Sequence, residues 1–343
     1  MATASSATPS CRDRSLALTS SALRNGALAI LRRRWPLVGA FVLACALLAA
    51  VLVFTDRDPF ASLPEDPSVT VNYAGSFPSA EEGPLDEPFG IAIRGRRVYV
   101  AESGTGSIRI FTLYGEPRGR IALPVSEETS AVPTAIALTD DGRIAVVDAV
   151  AKTVAVFEAK DDESPEALVV LGEDDASTAP VRPVGVAFAD GEFFVVDADV
   201  RLVKVYDADG RFVRSLGEDI ERPIENPGGI AVVGDEVFVT DTRSGRVAVL
   251  DRAEGGEVRE FADVYVLPRG IAPAEGRFVV SDVLGRAVYV TDAEGDRTHV
   301  IDRGTVAERA LGLPEGVAWE PVKDRAYVTD NLTGDVRVFN VRM

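Results

Sequence analysis

Six acidic residues recur along the chain at nearly even intervals: Glu102, Asp148, Asp197, Asp241, Asp282 and Asp330. Each closes a short run of alternating apolar residues. Six positions further on, Ile108, Val154, Val203, Val247, Val288 and Val336 open the next run. Carboxylates delivered to equivalent strand ends would ring one face of the molecule, and oxygen ligands in a ring suit a hard cation such as Ca2+. The same position also has a mechanical use. An Asp after a strand accepts hydrogen bonds from the backbone N–H groups of the following turn, and a device repeated in every unit supports a fold more readily than a reaction.

A second set varies where the first is constant. Each acid lies 14 to 16 residues after a proline that opens the motif Pro-x-Gly-Ile-Ala, with Val for Ile in the units at Pro183 and Pro314 and Ala for Gly in the unit at Pro133. The x positions are Phe89, Thr134, Val184, Gly228, Arg269 and Glu315. They should rim the face that carries the acids, joined by Arg201, Arg243, Arg286 and Asn331 from the turns after the acids. Recognition usually resides in variable positions held by a constant frame. The expected binding-face residues are therefore Phe89, Arg201, Arg243, Arg269, Glu315 and Asn331.

Several chemistries are excluded by composition. His299 is the only histidine and falls on an outer strand of the fifth unit, so neither a three-His zinc centre nor a Ser-His-Asp triad built around the repeats is available. The two cysteines, Cys11 and Cys45, precede the repeats, which leaves no disulfide framework and no Cys-based zinc site within them. The chain carries a net charge of −18; residues 1–55 hold six Arg and one Asp, a net +5, which leaves −23 on residues 56–343. That surface disfavours nucleic acid, whose binding depends on Lys and Arg neutralising phosphates. Only four lysines occur against abundant Arg, Ala, Val, Gly and Asp, a usage that fits a high-G+C bacterial coding bias.

The elements that position these residues follow from the period. Successive Pro openings are 45, 50, 44, 41 and 46 residues apart, and each unit reads as short strands bounded by Gly, Asp and Pro. In the fourth unit the strands are 229–233, 237–240 and 247–250. Fourth strands follow in most units, for example 166–172 and 211–217. A period in the forties built from short strands predicts an all-β radial array, here a six-bladed β-propeller of four-stranded blades. The sixth unit has no fourth strand of its own, whereas 68–77 (SVTVNYAGSF) is a strand without a unit. It is expected to complete the sixth blade and close the ring, removing exposed sheet edges.

Pro-x-Gly-Ile-Ala, then Tyr-Val-x-Asp, then a Val-x-Val-Phe strand resembles the NHL repeat and the similar YVTN repeat. Ala326 to Asn331 (AYVTDN) comes close to the latter. The resemblance covers about residues 68–343 and implies the six-bladed propeller. The Asn-Arg pair that NHL units often carry before the third strand is mostly missing, with Arg246 alone at the Arg position. The stretch Glu315-Gly316-Val317-Ala318-Trp319 also resembles the Glu-Gly-x-x-Trp opening of the gluconolactonase/regucalcin family, which implies Glu315 as a Ca2+ or Zn2+ ligand. That family's Asn ligands cannot be located by motif here.

Ahead of the repeats, residues 1–34 read as a disordered basic cytoplasmic tail. Residues 35–55 (WPLVGAFVLACALLAAVLVFT) are 21 positions without a charge, enough at 1.5 Å per residue to cross the roughly 30 Å hydrocarbon core of a bilayer. Arg32, Arg33 and Arg34 directly before it place the N-terminus in the cytoplasm and the repeats outside, periplasmic or extracellular. A cleaved signal peptide and a lipoprotein modified at Cys45 are the competing readings of this segment. Residues 56–67 form a linker. The function expected from these residues is a membrane-anchored binding or scaffold module, without cofactor, for an envelope protein or glycan. The alternative is a Ca2+- or Zn2+-dependent hydrolase or lactonase using Glu315 with acids such as Asp282 or Asp330.

Overall fold

The computed structural model describes residues 70–79, 81–124, 130–161, 165–261, 265–301 and 311–342. They form six four-stranded antiparallel sheets. The innermost strands, Pro88–Arg94, Pro133–Leu138, Pro183–Ala189, Pro227–Val233, Pro268–Ala274 and Pro314–Glu320, each touch the innermost strands of the two neighbouring blades, so the ring is closed. This is the all-β six-bladed propeller expected from the repeat. The tail, the apolar stretch 35–55 and the linker 56–67 lie outside the described residues. Among the described residues no helix is long and apolar enough to cross a membrane.

Ring closure uses both ends of the chain. Thr70–Phe77 pairs antiparallel with Asp335–Arg342, and with Arg325–Asp330 and Pro314–Glu320 it makes up blade 6. Phe77 is buried against Phe111 of blade 1 and Tyr327 of blade 6, with ring centroids 5.0 and 6.4 Å away. Thr70 pairs with Arg342 and Phe77 with Val336, so the chain enters the propeller on the face opposite the strand ends that carry the acids. The fourth strands vary in length. That of blade 3 runs Phe212–Leu216, close to expectation, but blade 2 retains only Val169–Val170 of the expected 166–172.

The core lies between blades. One cluster joins Val237, Val239 and Leu250 of blade 4 to Phe194, Val196 and Val205 of blade 3. All six β-branched residues placed six positions after the acids are buried.

In every blade the ladder between the first two strands is irregular at the Pro-x-Gly motif. Pro314 pairs with Asp330, but the next paired residues are Val317 and Val328, three positions on along one strand and two along the other. Such a bulge re-aims the side chain at its centre, which turns the x residue toward the propeller axis. Gly316 is required by the crowding there, since a Cβ at this position would come within 2.4 Å of the Phe89 carbonyl oxygen.

Candidate functional site

The six x residues converge on one axial pocket. Phe89, Thr134, Val184, Gly228, Arg269 and Glu315, with the Gly-Ile, Gly-Val or Ala-Ile steps that follow them, line a cavity of about 110 Å3 open at the acid-bearing face. Around the axis, blades 5, 6, 1 and 2 contribute Arg269, Glu315, Phe89 and Thr134, and blades 3 and 4 contribute Val184 and Gly228. One arc of the wall is charged, aromatic and polar, and the rest is apolar or bare.

The charged pair sits within that arc. Arg269 Nε lies 3.4 Å from Glu315 Oε2, with 39% of the Arg side chain and 12% of the Glu side chain exposed. Burial pushes the Glu315 carboxyl above its ordinary value, and the nearby Arg269 charge pulls the other way. Glu315 Oε2 and Thr134 Oγ1 are both buried without a hydrogen-bond partner. The pocket therefore presents unsatisfied polar atoms beside a guanidinium, a condition that costs free energy until a ligand or water fills it.

A second feature holds three of the four positions of this arc still. Thr240 Oγ1 accepts from Gly229 N–H (2.8 Å) and donates to the Arg269 carbonyl of the next blade (3.0 Å). Ser281 Oγ does the same between Gly270 N–H (2.8 Å) and the Glu315 carbonyl (2.5 Å). Thr329 Oγ1 bridges Gly316 N–H (2.8 Å) and the Phe89 carbonyl (2.6 Å). These hydroxyls sit one residue before the acid in blades 4, 5 and 6. Blades 1, 2 and 3 carry Ala101, Val147 and Val196 there. The three latched backbones are thus those of Arg269, Glu315 and Phe89.

The acids lie outside the pocket. Asp241 Oδ2 and Oδ1 accept from Glu225 N–H and Asn226 N–H, both at 2.9 Å. Asp197 does the same for Val181 and Arg182 (2.8 and 3.0 Å), Asp282 for Val266 and Leu267 (2.7 and 2.9 Å), and Asp330 for Gly312 and Leu313 (2.6 and 3.0 Å). Glu102 binds Asp86 N–H at 3.0 Å, and the half-buried Asp148 binds Val132 N–H at 3.2 Å. Each acid pins the loop that leads into the innermost strand of its own blade. Three also meet a cation seven residues on: Glu102 with Arg109 (3.7 Å), Asp197 with Lys204 (3.2 Å) and Asp330 with Arg337 (3.5 Å). Burial alone would raise the Asp197 and Asp241 carboxyls, but the backbone N–H donors, together with Lys204 beside Asp197 and Ser244 beside Asp241, outweigh it and hold both below the ordinary range.

Among the other expected face residues, Arg201 and Arg243 are exposed outside the pocket, Arg243 Nε pairing with Glu225 at 2.7 Å. Asn331 is half-buried, and its Nδ2 has no partner. Arg286 Nε donates to the Leu311 and Gly312 carbonyls (3.3 and 3.1 Å). His299 is buried on the outermost strand of blade 5.

The apolar rim of this face is not visible as such in the sequence. Val150, Val200, Leu284 and Leu332 in the turns after the acids, with Val181 and Val266 in the pinned loops, are 41% to 60% exposed. They lie on the acid-bearing face of blades 2, 3, 5 and 6.

No protein-family model matches the chain, and no curated protein matches it in sequence. Solved structures do resemble it. A protein of unknown function from Bacteroides thetaiotaomicron aligns with a TM-score of 0.61 at 14% identity, over 80% of this chain and 76% of that one. A streptogramin B lyase aligns at 0.56 and 12% identity, over 80% of this chain and 98% of the lyase. Virginiamycin B lyase from Staphylococcus aureus aligns at 0.53 and 12% identity, over 79% and 99%. The chain shares their propeller fold. Identities this low carry the architecture and not the chemistry.

Proposed function

We propose that the protein is a non-catalytic recognition module whose axial face docks a protein partner. The observation that carries this reading is the make-up of one face: a partly charged pocket on the axis, with exposed valines and leucines outside it on blades 2, 3, 5 and 6. Exposed apolar groups gathered on one face of a soluble domain mark a candidate protein-binding surface. In the fuller form of the proposal the partner belongs to the cell envelope, and a membrane anchor at 35–55 tethers the module outside the cytoplasm. Thr70, the first described residue, lies on the face opposite the mouth.

A Ca2+- or Zn2+-dependent hydrolase fits these residues poorly. Among the described residues no group of three or more His, Cys, Asp or Glu side chains is placed to hold a metal. Among the described residues Glu315 is the only carboxylate lining the axial pocket, and a guanidinium adjoins it. Asp282 and Asp330 are committed to backbone N–H groups.

The test is site-specific photo-crosslinking in cells, with benzoylphenylalanine at Leu284 or Leu332 on the rim and at Val213 or Val258 on outer strands. Protein adducts from the rim alone support the reading. Equal adducts from both sets, glycan adducts only, or none from the rim would overturn it.

A further inference from the structure

The axial pocket has its own chemistry, separate from that of the rim. Its charged arc holds one cation and one anion side by side, followed round the axis by an aromatic ring, in the order Arg269, Glu315, Phe89. A ligand of a single charge would meet an opposing neighbour in this arc. A ligand carrying both charges would not. A carboxylate set against Arg269 gains charge-assisted hydrogen bonds from the guanidinium N–H groups that Glu315 leaves free. An ammonium set between Glu315 and Phe89 donates to Oε2, which meets Arg269 as an ion pair but has no hydrogen-bond partner, and rests against a ring that attracts cations. Thr134 Oγ1, also unpartnered, lies next round the wall beyond Phe89. Val184 and the bare Gly228 face this arc with space for a small apolar group.

We infer that the axial pocket binds a small zwitterion of the amino-acid type, its carboxylate on Arg269 and its ammonium between Glu315 and Phe89. Two further observations support this. The cavity, about 110 Å3, is compact and bounded by the six x residues and the steps that follow them, which suits a small ligand. The three residues of the arc are also the three whose carbonyls are latched by Thr240, Ser281 and Thr329, while the apolar arc has no such latch. Preorganising charged groups before the ligand arrives reduces the cost of binding.

The test is ligand-observed NMR of L-alanine with the full-length protein, with propionate and ethylamine as single-charge controls. Saturable binding of L-alanine that exceeds both controls is expected. Arg269→Ala and Glu315→Gln should each weaken it at least about tenfold, and Arg269→Lys, which keeps the charge but loses the planar fork, should weaken it less than Arg269→Ala. Melting curves of each variant confirm that it is folded, and Val258→Ala serves as an unchanged control. Absence of saturable binding, equal binding of either control, or binding unaffected in folded Arg269→Ala would overturn the inference. Its failure is distinguishable from failure of the protein-docking reading, because rim crosslinks do not depend on the axial ligand.

Discussion

Thr329 Oγ1 donates to the Phe89 carbonyl at 2.6 Å, a hydrogen bond between residues 240 positions apart that joins blade 6 to blade 1 where the ring closes. The same hydroxyl accepts from Gly316 N–H at 2.8 Å, so one side chain satisfies groups on two blades. Thr329→Val keeps the shape and removes both bonds. It should destabilise the fold by about 1–2 kcal/mol, since two interior backbone groups lose their partner. Denaturant unfolding measures this; a loss close to zero would show that the latch is replaceable by water.

The pinned loops predict a larger effect. Asp241→Ala orphans the N–H groups of Glu225 and Asn226, which should cost about 2–4 kcal/mol, whereas Asp241→Asn retains an acceptor and should cost less. The pH dependence follows from the sign of the shift. Because the folded-state carboxyl is held below its ordinary 3.8, its stabilising contribution is present above that value and is lost as the pH falls through the lower, folded value. Acid unfolding of the wild type should therefore be steeper than that of Asp241→Asn. Equal acid profiles would contradict the account.

Glu315 predicts the opposite sign. Burial raises its carboxyl above the ordinary 4.5, so the neutral form favours folding, and that contribution is lost as the pH rises through the folded value. Glu315→Gln should melt with the wild type near pH 4 and above it at about pH 7. A Gln variant that melts lower at neutral pH would mean that the pair with Arg269 outweighs the burial cost.

Closure by the first described strand is also testable. Phe77→Ala removes a ring packed on Phe111 and Tyr327 and should cost about 3–5 kcal/mol. A surface-like loss of a few tenths would mean that the strand adds little to the ring.

The propeller was legible in the sequence because its signals are local and repeated. The Pro-x-Gly openings, the strand-end acids and the β-branched residues six positions on mark each blade, and the unit-less strand at 68–77 pointed to closure. The site was legible only in part. Phe89, Arg269 and Glu315 could be placed on one face from the motif, but their turn toward the axis depends on a bulge that arises from pairing between strands. Arg201 and Arg243 follow strand-end acids on the same face yet lie outside the axial pocket, because radius from the axis is not encoded in register. The loop amides that the acids bind lie 15 to 18 residues upstream, a separation that no turn motif covers. Thr240, Ser281 and Thr329 stand in a repeated column, but a hydroxyl in a buried strand reads as an ordinary β-former until the neighbouring blade supplies the acceptor. The exposed rim valines and leucines could not be told from core residues by composition alone.

The central claim is that this face recognises a partner without metal chemistry. It is tested most directly by elemental analysis of the full-length chain purified without chelators, paired with melting curves with and without EDTA. The account predicts no stoichiometric Ca2+ or Zn2+ and no change in melting on chelation. One ion per chain, with a melting temperature that falls when EDTA removes it and an ion that is lost in Glu315→Ala, would contradict it and restore the hydrolase reading.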